Sequence, residues 1–482
     1  MNKWTLNIQE FGKIKNASIE VSPFMIFVGD NNSGKSYIME LLWAIIKDAD
    51  SIIRNLKKIP EYNIFLAEQV NKSPYKITEE VQEELLTFFN KAFEMQKEKF
   101  IKKIFNYDVT AEDIRIKRND YFDLHYEMRM EQRTLLLESD EDDEQEVMKN
   151  IDYIKTSIYL DDNRVSSFLI QKSDDDLNEE QILHSVYTRI ILLLIRKDYY
   201  NIYTRMPFRT MSLNREPLYF PASRTGFMHT YRAIIGNQRD NAENNEEIDF
   251  EFVDKNDKYQ IAGTNLTLPT ILFLEKLQKL TLDEDKRIKY EDEINFLNEN
   301  ILEGNVLKNS YEQYEFIPKD SDKGIPLHVT SSLVAELSPI VMFLSSSFDS
   351  DLWIIEEIES HLHPKIQLEV ARFLVRLYNK QKCIWITTHS DSLIQKVNNL
   401  ITLSLRNDKK RILNSLGFSD NDIFSNVDEI STYQFQSNKG STSVEKLEME
   451  PYGFEISSFN NTLEKLIIET SEIQNLGEEE ND

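Results

Sequence analysis

One nine-residue stretch limits the possible folds of this chain more than any other: Val28-Gly29-Asp30-Asn31-Asn32-Ser33-Gly34-Lys35-Ser36. It fits G-x-x-x-x-G-K-[ST], the loop that cradles phosphates through backbone N–H groups. Its flanks have the form such a loop requires. Met25-Ile26-Phe27-Val28 reads as a buried strand, and Ile38, Leu41, Leu42, Ile45 and Ile46 share one helical face. A strand–loop–helix unit aims N–H groups and the positive end of a helix at a bound anion. Gly29, Asp30, Asn31, Asn32, Ser33, Gly34, Lys35, Ser36 and Tyr37 are therefore the candidate nucleotide-binding residues. Lys35 would meet the β- and γ-phosphates, and the Ser36 hydroxyl would ligate Mg²⁺.

The rest of the chain agrees with an α/β protein carrying inserted segments. At 482 residues and 40% hydrophobic content it can bury a large core. From Val329 onward apolar strands alternate with helical stripes. Leu352-Trp353-Ile354-Ile355 reads as a strand, Pro364 opens a helix with Ile366, Val370, Phe373, Leu374 and Leu377 on one face, and Ile384-Trp385-Ile386-Thr387 is another strand. That alternation implies a parallel sheet covered on both faces. Leu333, Leu337, Ile340, Val341 and Leu344 form a further stripe, with Ser332 placed to cap it.

The pattern divides the chain into six segments. Residues 1–50 hold the phosphate loop with its strands and helix, 51–210 form a helical insertion, and 211–227 return to the α/β part. A second, mainly helical insertion follows over 228–325, with loops near Asn237 to Glu246 and Pro318 to Lys323. Residues 326–430 complete the α/β part, and 431–482 form a hairpin turning at Ser437 to Gly440, a helix with Leu463, Leu466 and Ile467, and an acidic tail. Glu138 to Glu146 reads as a solvated acidic run.

Charge and cysteine usage bound the partners. The formal net charge of −27 opposes a general grip on nucleic acid, leaving DNA to local basic surfaces such as Lys97 to Lys103, Arg115 to Arg118 or Arg406 to Arg411. The single cysteine, Cys383, lies in an apolar strand pattern and reads as an inert buried thiol. Met1 to Glu20 is polar and alternating, and no apolar run is long enough to span a bilayer, so a cytoplasmic chain with no membrane partner is expected.

Two more elements sharpen the chemistry. Glu356-Glu357 closes an apolar strand, at the sheet edge where α/β proteins bind ligands. Glu356 can hold Mg²⁺, directly or through water, while Glu357 orients or activates the attacking water. His389 ends the next strand in the same register and can reach a γ-phosphate or the water. His361 and His363 fit the turn and the helix start better than a metal pair.

Together, Gly29 to Ser36, Leu352 to Pro364 (LWIIEEIESHLHP) and Thr387 to Asp391 (TTHSD) resemble the ABC-type ATPases of the OLD and SMC-like group. Phe220-Pro221-Ala222-Ser223-Arg224 is similar to that group's P-A-x-R segment, and Thr330 to Leu337 to its signature motif, with Leu333 and Val334 where glycines are usual. The resemblance implies an α/β fold, an ABC/SMC-head-like P-loop NTPase with a mixed sheet and two mainly helical insertions. It implies ATP and Mg²⁺ as ligands, with Ser36 and Glu356 at the metal. Glu357, His389 and Lys35 take the catalytic positions, and Ser332 acts on nucleotide bound by a second copy in a head-to-head dimer or higher oligomer. Within the group the chain resembles the stand-alone ATPase subunits of bacterial anti-phage systems of the Septu type. That likeness implies a sensor and scaffold for a separate effector, often a nuclease. Only residues 390–482 follow His389, and no spaced E…D-x-D pattern stands among them, so the chain itself is not expected to be the nuclease. A DNA-processing SMC-like ATPase and a catalytically silent ATP-binding scaffold are the rival readings.

Overall fold

The computed structural model describes residues 4–70, 76–137, 147–160, 163–171, 179–196, 216–230, 266–309, 313–348, 350–457 and 465–473. The acidic run 138–146, the loop expected at 237–246, Leu463 and the tail beyond 473 lie outside these residues. The chain divides into two compact units. The smaller takes residues 1–7, 45–97 and 114–215, the larger 8–44, 98–113 and 216–482.

The strands in chain order are β1 (Trp4–Phe11), β2 (Ile14–Glu20), β3 (Phe24–Gly29), β4 (Lys76–Ile77), β5 (Ala111–Arg118), β6 (Leu124–Leu137), β7 (Val147–Leu160), β8 (Asn163–Gln171), β9 (Leu218–Phe220), β10 (Gly304–Lys308), β11 (Tyr314–Pro318), β12 (Ile325–Pro326), β13 (Leu352–Ile355), β14 (Cys383–Thr388), β15 (Ile430–Asn438) and β16 (Ser441–Leu447). The helices used below are α1 (Lys35–Lys47), α2 (Ala49–Ile53), α3 (Pro60–Val70), α4 (Glu79–Glu94), α5 (Lys97–Phe105), α6 (Glu179–Arg196), α7 (Leu268–Gln278), α8 (Ser332–Leu344), α9 (Pro364–Asn379) and α10 (Asp391–Leu405).

The largest sheet is nine-stranded and mixed, of order β5-β1-β2-β16-β15-β3-β14-β13-β9. Its centre is parallel: β3 pairs with both β14 and β15, and β13 with β14 and β9. Every residue of β3, β13 and β14 is buried, as continuous apolar runs demand when both sheet faces are covered. One core joins Phe24, Ile26 and Val28 of β3 to Ile340 and Leu344 of α8, Phe373 and Leu374 of α9, and Val397 and Ile401 of α10. Pro364 is the first residue of α9, where its missing N–H costs nothing, and His363 caps it by accepting from Lys365 N at 3.2 Å. His361 sits in the preceding turn at φ 62°, so both histidines serve local structure.

Two sequence expectations are corrected and one is extended. The cap of α8 is Ser331, whose hydroxyl accepts from Val334 N at 3.4 Å, and Ser332 is the first helical residue. The expected hairpin forms, with Asn438 opposite Ser441, and it also joins the large sheet: β15 lies beside β3, with Ile430 opposite Phe24 and Phe435 opposite Gly29. The segment 51–210 is not mainly helical. Around helices α3, α4 and α6, which share buried contacts such as Tyr62 with His184 and Phe65 with Tyr187, the smaller unit holds an antiparallel sheet of order β4-β6-β7-β8. In the β6–β7 ribbon Leu124, Tyr126, Met128 and Met130 alternate with polar residues, and cross-strand pairs help to hold it. His125 stacks on Tyr159 directly opposite, at 4.7 Å, and Lys155 meets Glu131 at 3.0 Å.

The second insertion likewise mixes types. After α7 and the short helices Glu284–Lys289 and Glu291–Leu297 comes a three-stranded sheet, β10-β11-β12. Cys383, the single cysteine, is buried. Two of the basic candidates are tied into structure: Lys97 is buried against Glu94, and buried Arg118 donates to Leu194 O at 2.5 Å. Among the described residues, no helix is long and apolar enough to cross a membrane.

Candidate active site

The site lies wholly in the larger unit, at the C-terminal edge of the parallel strands. β14 sits between β3 and β13, so His389 emerges between the phosphate loop and the carboxylate pair. Gly29 ends β3 at φ +133°, and a Cβ there would stand 2.0 Å from the carbonyl oxygen of Phe435. Only glycine admits that approach of β15 to the loop. Gly34 turns the chain into α1 at φ +91°, and the helix begins at once, with Ile38 N donating to Gly34 O at 3.2 Å.

Lys35 is buried and reaches back over its own loop. Its ammonium donates to Gly29 O at 3.1 Å, to Asp30 O at 2.7 Å and to Ser33 Oγ at 3.4 Å. Burial pushes its pKa down to about 8, against the pull of the Glu357, Asp30, Glu359 and Glu356 carboxylates. The loop thus presents a desolvated cation held by neutral oxygens, an arrangement that an anion can take over. Ser36 and Tyr37 are exposed. The Tyr37 ring lies 5.0 Å from that of Phe105 and 6.1 Å from that of Phe11, beside Gly12, where a Cβ would sit 3.5 Å from it.

The adjacent carboxylates have opposite settings. Glu356 is buried, its Oε2 accepting from Ala222 N at 3.1 Å while Oε1 has no hydrogen-bond partner among the described residues. Glu357 turns outward through a left-handed backbone at φ 40°, and its N–H donates to Thr387 Oγ1 at 3.0 Å. Its carboxylate accepts from Ser360 Oγ at 3.0 Å and stands 3.9 Å from His389 Nε2. The Gly29 carbonyl pulls the pKa of the His389 ring upward but does not prevail. Burial and the Lys35 charge hold its pKa below the usual imidazole value, so it is neutral near pH 7 and one ring nitrogen can accept. Lys35, Glu357 and His389 therefore converge around Gly29, although 322 positions separate the first two (357 minus 35). Ser332 stands apart from that group: it opens α8, is exposed, and its carbonyl accepts from Thr225 Oγ1 at 3.3 Å.

Several structural partners were not assigned from the sequence. Glu359, nearly buried, accepts the backbone N–H of His389 and so fixes the histidine's position; burial raises its own pKa. Glu40 of α1 is buried and accepts from Thr267 Oγ1 at 2.8 Å; burial and the Glu356 charge push its pKa well above the carboxylate range. The signals were present but faint: a third acid in the Glu356–Glu359 turn, and an isolated acid inside an apolar helical stripe.

The donor set suits Mg²⁺ carried on a nucleotide. The orphaned, buried Oε1 of Glu356 and the exposed Ser36 hydroxyl offer few ligands, and Mg²⁺ ordinarily completes its shell with phosphates and water. Among the described residues no group of three or more His, Cys, Asp or Glu could hold a metal by itself.

A phosphate-loop motif, a buried acid and a half-buried acid at one edge of a parallel sheet are the arrangement expected of a nucleoside-triphosphatase site. The chain belongs to the AAA ATPase domain family, whose model matches residues 3–394. No curated protein matches it. Among solved structures it is similar to the SMC head domain from Thermotoga maritima, at 11% identity and TM-score 0.31, covering 93% of this chain and 100% of that one. It is also similar to the Pyrococcus furiosus Smc head domain with an extended coiled coil bound to the C-terminal domain of ScpA. That match has 14% identity and TM-score 0.33, covering 98% and 100% of the two chains.

Proposed function

We propose that the chain binds and hydrolyses ATP as an ABC-type ATPase, and that it serves as the sensor and scaffold subunit of a bacterial anti-phage complex controlling a separate effector, a nuclease. The observation that carries the ATPase reading is the convergence of Lys35, Glu357 and His389 around Gly29. The triphosphate lies along the loop, where its charge replaces the carbonyls that hold Lys35 in the free chain. Ser36 and Glu356 hold Mg²⁺, which neutralises phosphate charge when bound. Glu357 orients the attacking water and receives its proton, with neutral His389 beside it. Tyr37 offers an aromatic face to the base.

The start of α8, with Ser331 and Ser332 exposed, is the surface a second copy's nucleotide would meet. Its free N-terminal N–H groups favour an anion even with Leu333 and Val334 in place of glycines. The scaffold role rests on the resemblance drawn from the motifs, and copurification with the products of neighbouring genes tests it.

The enzymatic reading is tested by γ-phosphate release. Lys35→Ala is expected to lose ATP binding, whereas Glu357→Gln keeps binding and loses turnover by about a hundredfold or more. Unchanged turnover in both variants would remove the assignment. Tight ATP binding with no turnover in the unaltered chain would make it a silent scaffold.

A further inference from the structure

Arg224, from the P-A-S-R segment after β9, is fully buried, as is Glu336 of α8. Their Nη2 and Oε1 atoms pair at 2.5 Å. The guanidinium then spends its remaining donors on the main chain of the active site. Nη1 donates to Glu356 O at 2.6 Å and to Pro221 O at 2.9 Å, Nη2 to Glu357 O at 3.2 Å, and Nε to Glu336 O at 3.3 Å. The second oxygen of Glu336 accepts from Thr225 N at 2.9 Å and Thr225 Oγ1 at 2.7 Å, and the Thr225 hydroxyl reaches Ser332 O. One continuous network therefore runs from the exposed first turn of α8 to the carbonyls of both site carboxylates.

Stability alone does not call for this network, because well-packed apolar residues often serve as well as a buried ion pair. Its directionality is what apolar packing could not supply. The planar fork sets the two peptide groups beneath Glu356 and Glu357 at a defined distance from α8. Glu357 is held in a left-handed conformation that an unsupported glutamate rarely adopts.

We propose that Arg224 is a positioning residue that, held by Glu336 of α8, fixes the backbone of Glu357 and with it the carboxylate that orients water. This rests on the ATPase reading above and adds to it the residues that set the carboxylate's place.

The test uses the full chain with Mg-ATP, measuring turnover by phosphate release and affinity with a fluorescent ATP analogue. Glu336→Gln keeps shape and the Thr225 contact, and should lower kcat about tenfold or more with affinity changed by less than about twofold. Thr225→Val, at the half-buried end of the network, should lower kcat by a smaller factor with the same split; it carries the test if Glu336→Gln fails to fold. Glu336→Gln combined with Glu357→Gln should be no slower than Glu357→Gln alone, because both act on one step. A kcat unchanged by Glu336→Gln and by Thr225→Val, a loss matched by weakened binding, or additive losses in the double variant would each overturn the proposal. Unaltered turnover in Glu357→Gln would instead bring down the ATPase reading beneath it.

Discussion

Lys35 and Arg224 are both buried cations at the same sheet edge, and they are treated in opposite ways. Lys35 has no carboxylate in hydrogen-bonding contact; carbonyls and a hydroxyl of its own loop hold it, and burial depresses its pKa. Arg224 has Glu336 at 2.5 Å and four further bonds to main-chain oxygens. A buried cation held only by neutral oxygens is a binding site in waiting, since an arriving anion restores what desolvation removed. A buried cation with its counter-ion in place is an internal strut with nothing left to offer a ligand.

Removing each cation should separate the two cases. Arg224→Met leaves Glu336 buried without its partner, and is expected to cost about 3–5 kcal/mol of stability by chemical denaturation. A loss under about 1 kcal/mol would mean that the pair is not the strut described.

The pH dependence of ATP affinity comes next in size. Lys35 in the free chain loses its proton near pH 8, whereas triphosphate favours the charged form. Affinity should therefore be flat below pH 8 and fall above it, approaching about tenfold per pH unit, with uptake of a proton on binding. The stability of the ligand-free chain moves the other way. Between pH 8 and 10.5 the unfolded lysine keeps a proton that the folded one has released, so this group's contribution to stability rises with pH across that window. Calorimetry in buffers of different ionisation enthalpy measures the uptake, and a pH-independent affinity would contradict the account of Lys35.

The smallest effect has the most informative sign. Lys35→Met should abolish ATP binding yet raise the stability of the free chain near pH 7 by on the order of 1 kcal/mol, by removing a desolvated charge with no ion partner. Destabilisation by that amount would show that its carbonyl bonds outweigh its burial.

What could be read from the sequence follows the same division. Glycine spacing, the apolar runs of β3, β13 and β14, and the polar residues at their ends are local signals, and they located the loop, the two carboxylates and His389. Arg224 and Glu336 were visible only as members of motif-like segments, 112 positions apart, with nothing in either segment to show that they meet. The β6–β7 ribbon did leave a local signal, the alternation of Leu124, Tyr126, Met128 and Met130 with polar residues, which the helical reading of the segment passed over. The one-residue shift of the α8 cap reflects two adjacent serines, either of which could serve.

By itself, the order of amino acids determined that a strand–loop–helix able to hold phosphate would form, and which side chains would stand at its rim, because hydrogen bonding and burial over a few residues suffice for that. The tertiary structure alone decided that β15 presses on Gly29, that β14 separates β3 from β13, and that a guanidinium spans α8 and the carboxylate turn. Those contacts join residues far apart in the chain. Their favourable energy appears only once the whole sheet has closed, so no local pattern records it.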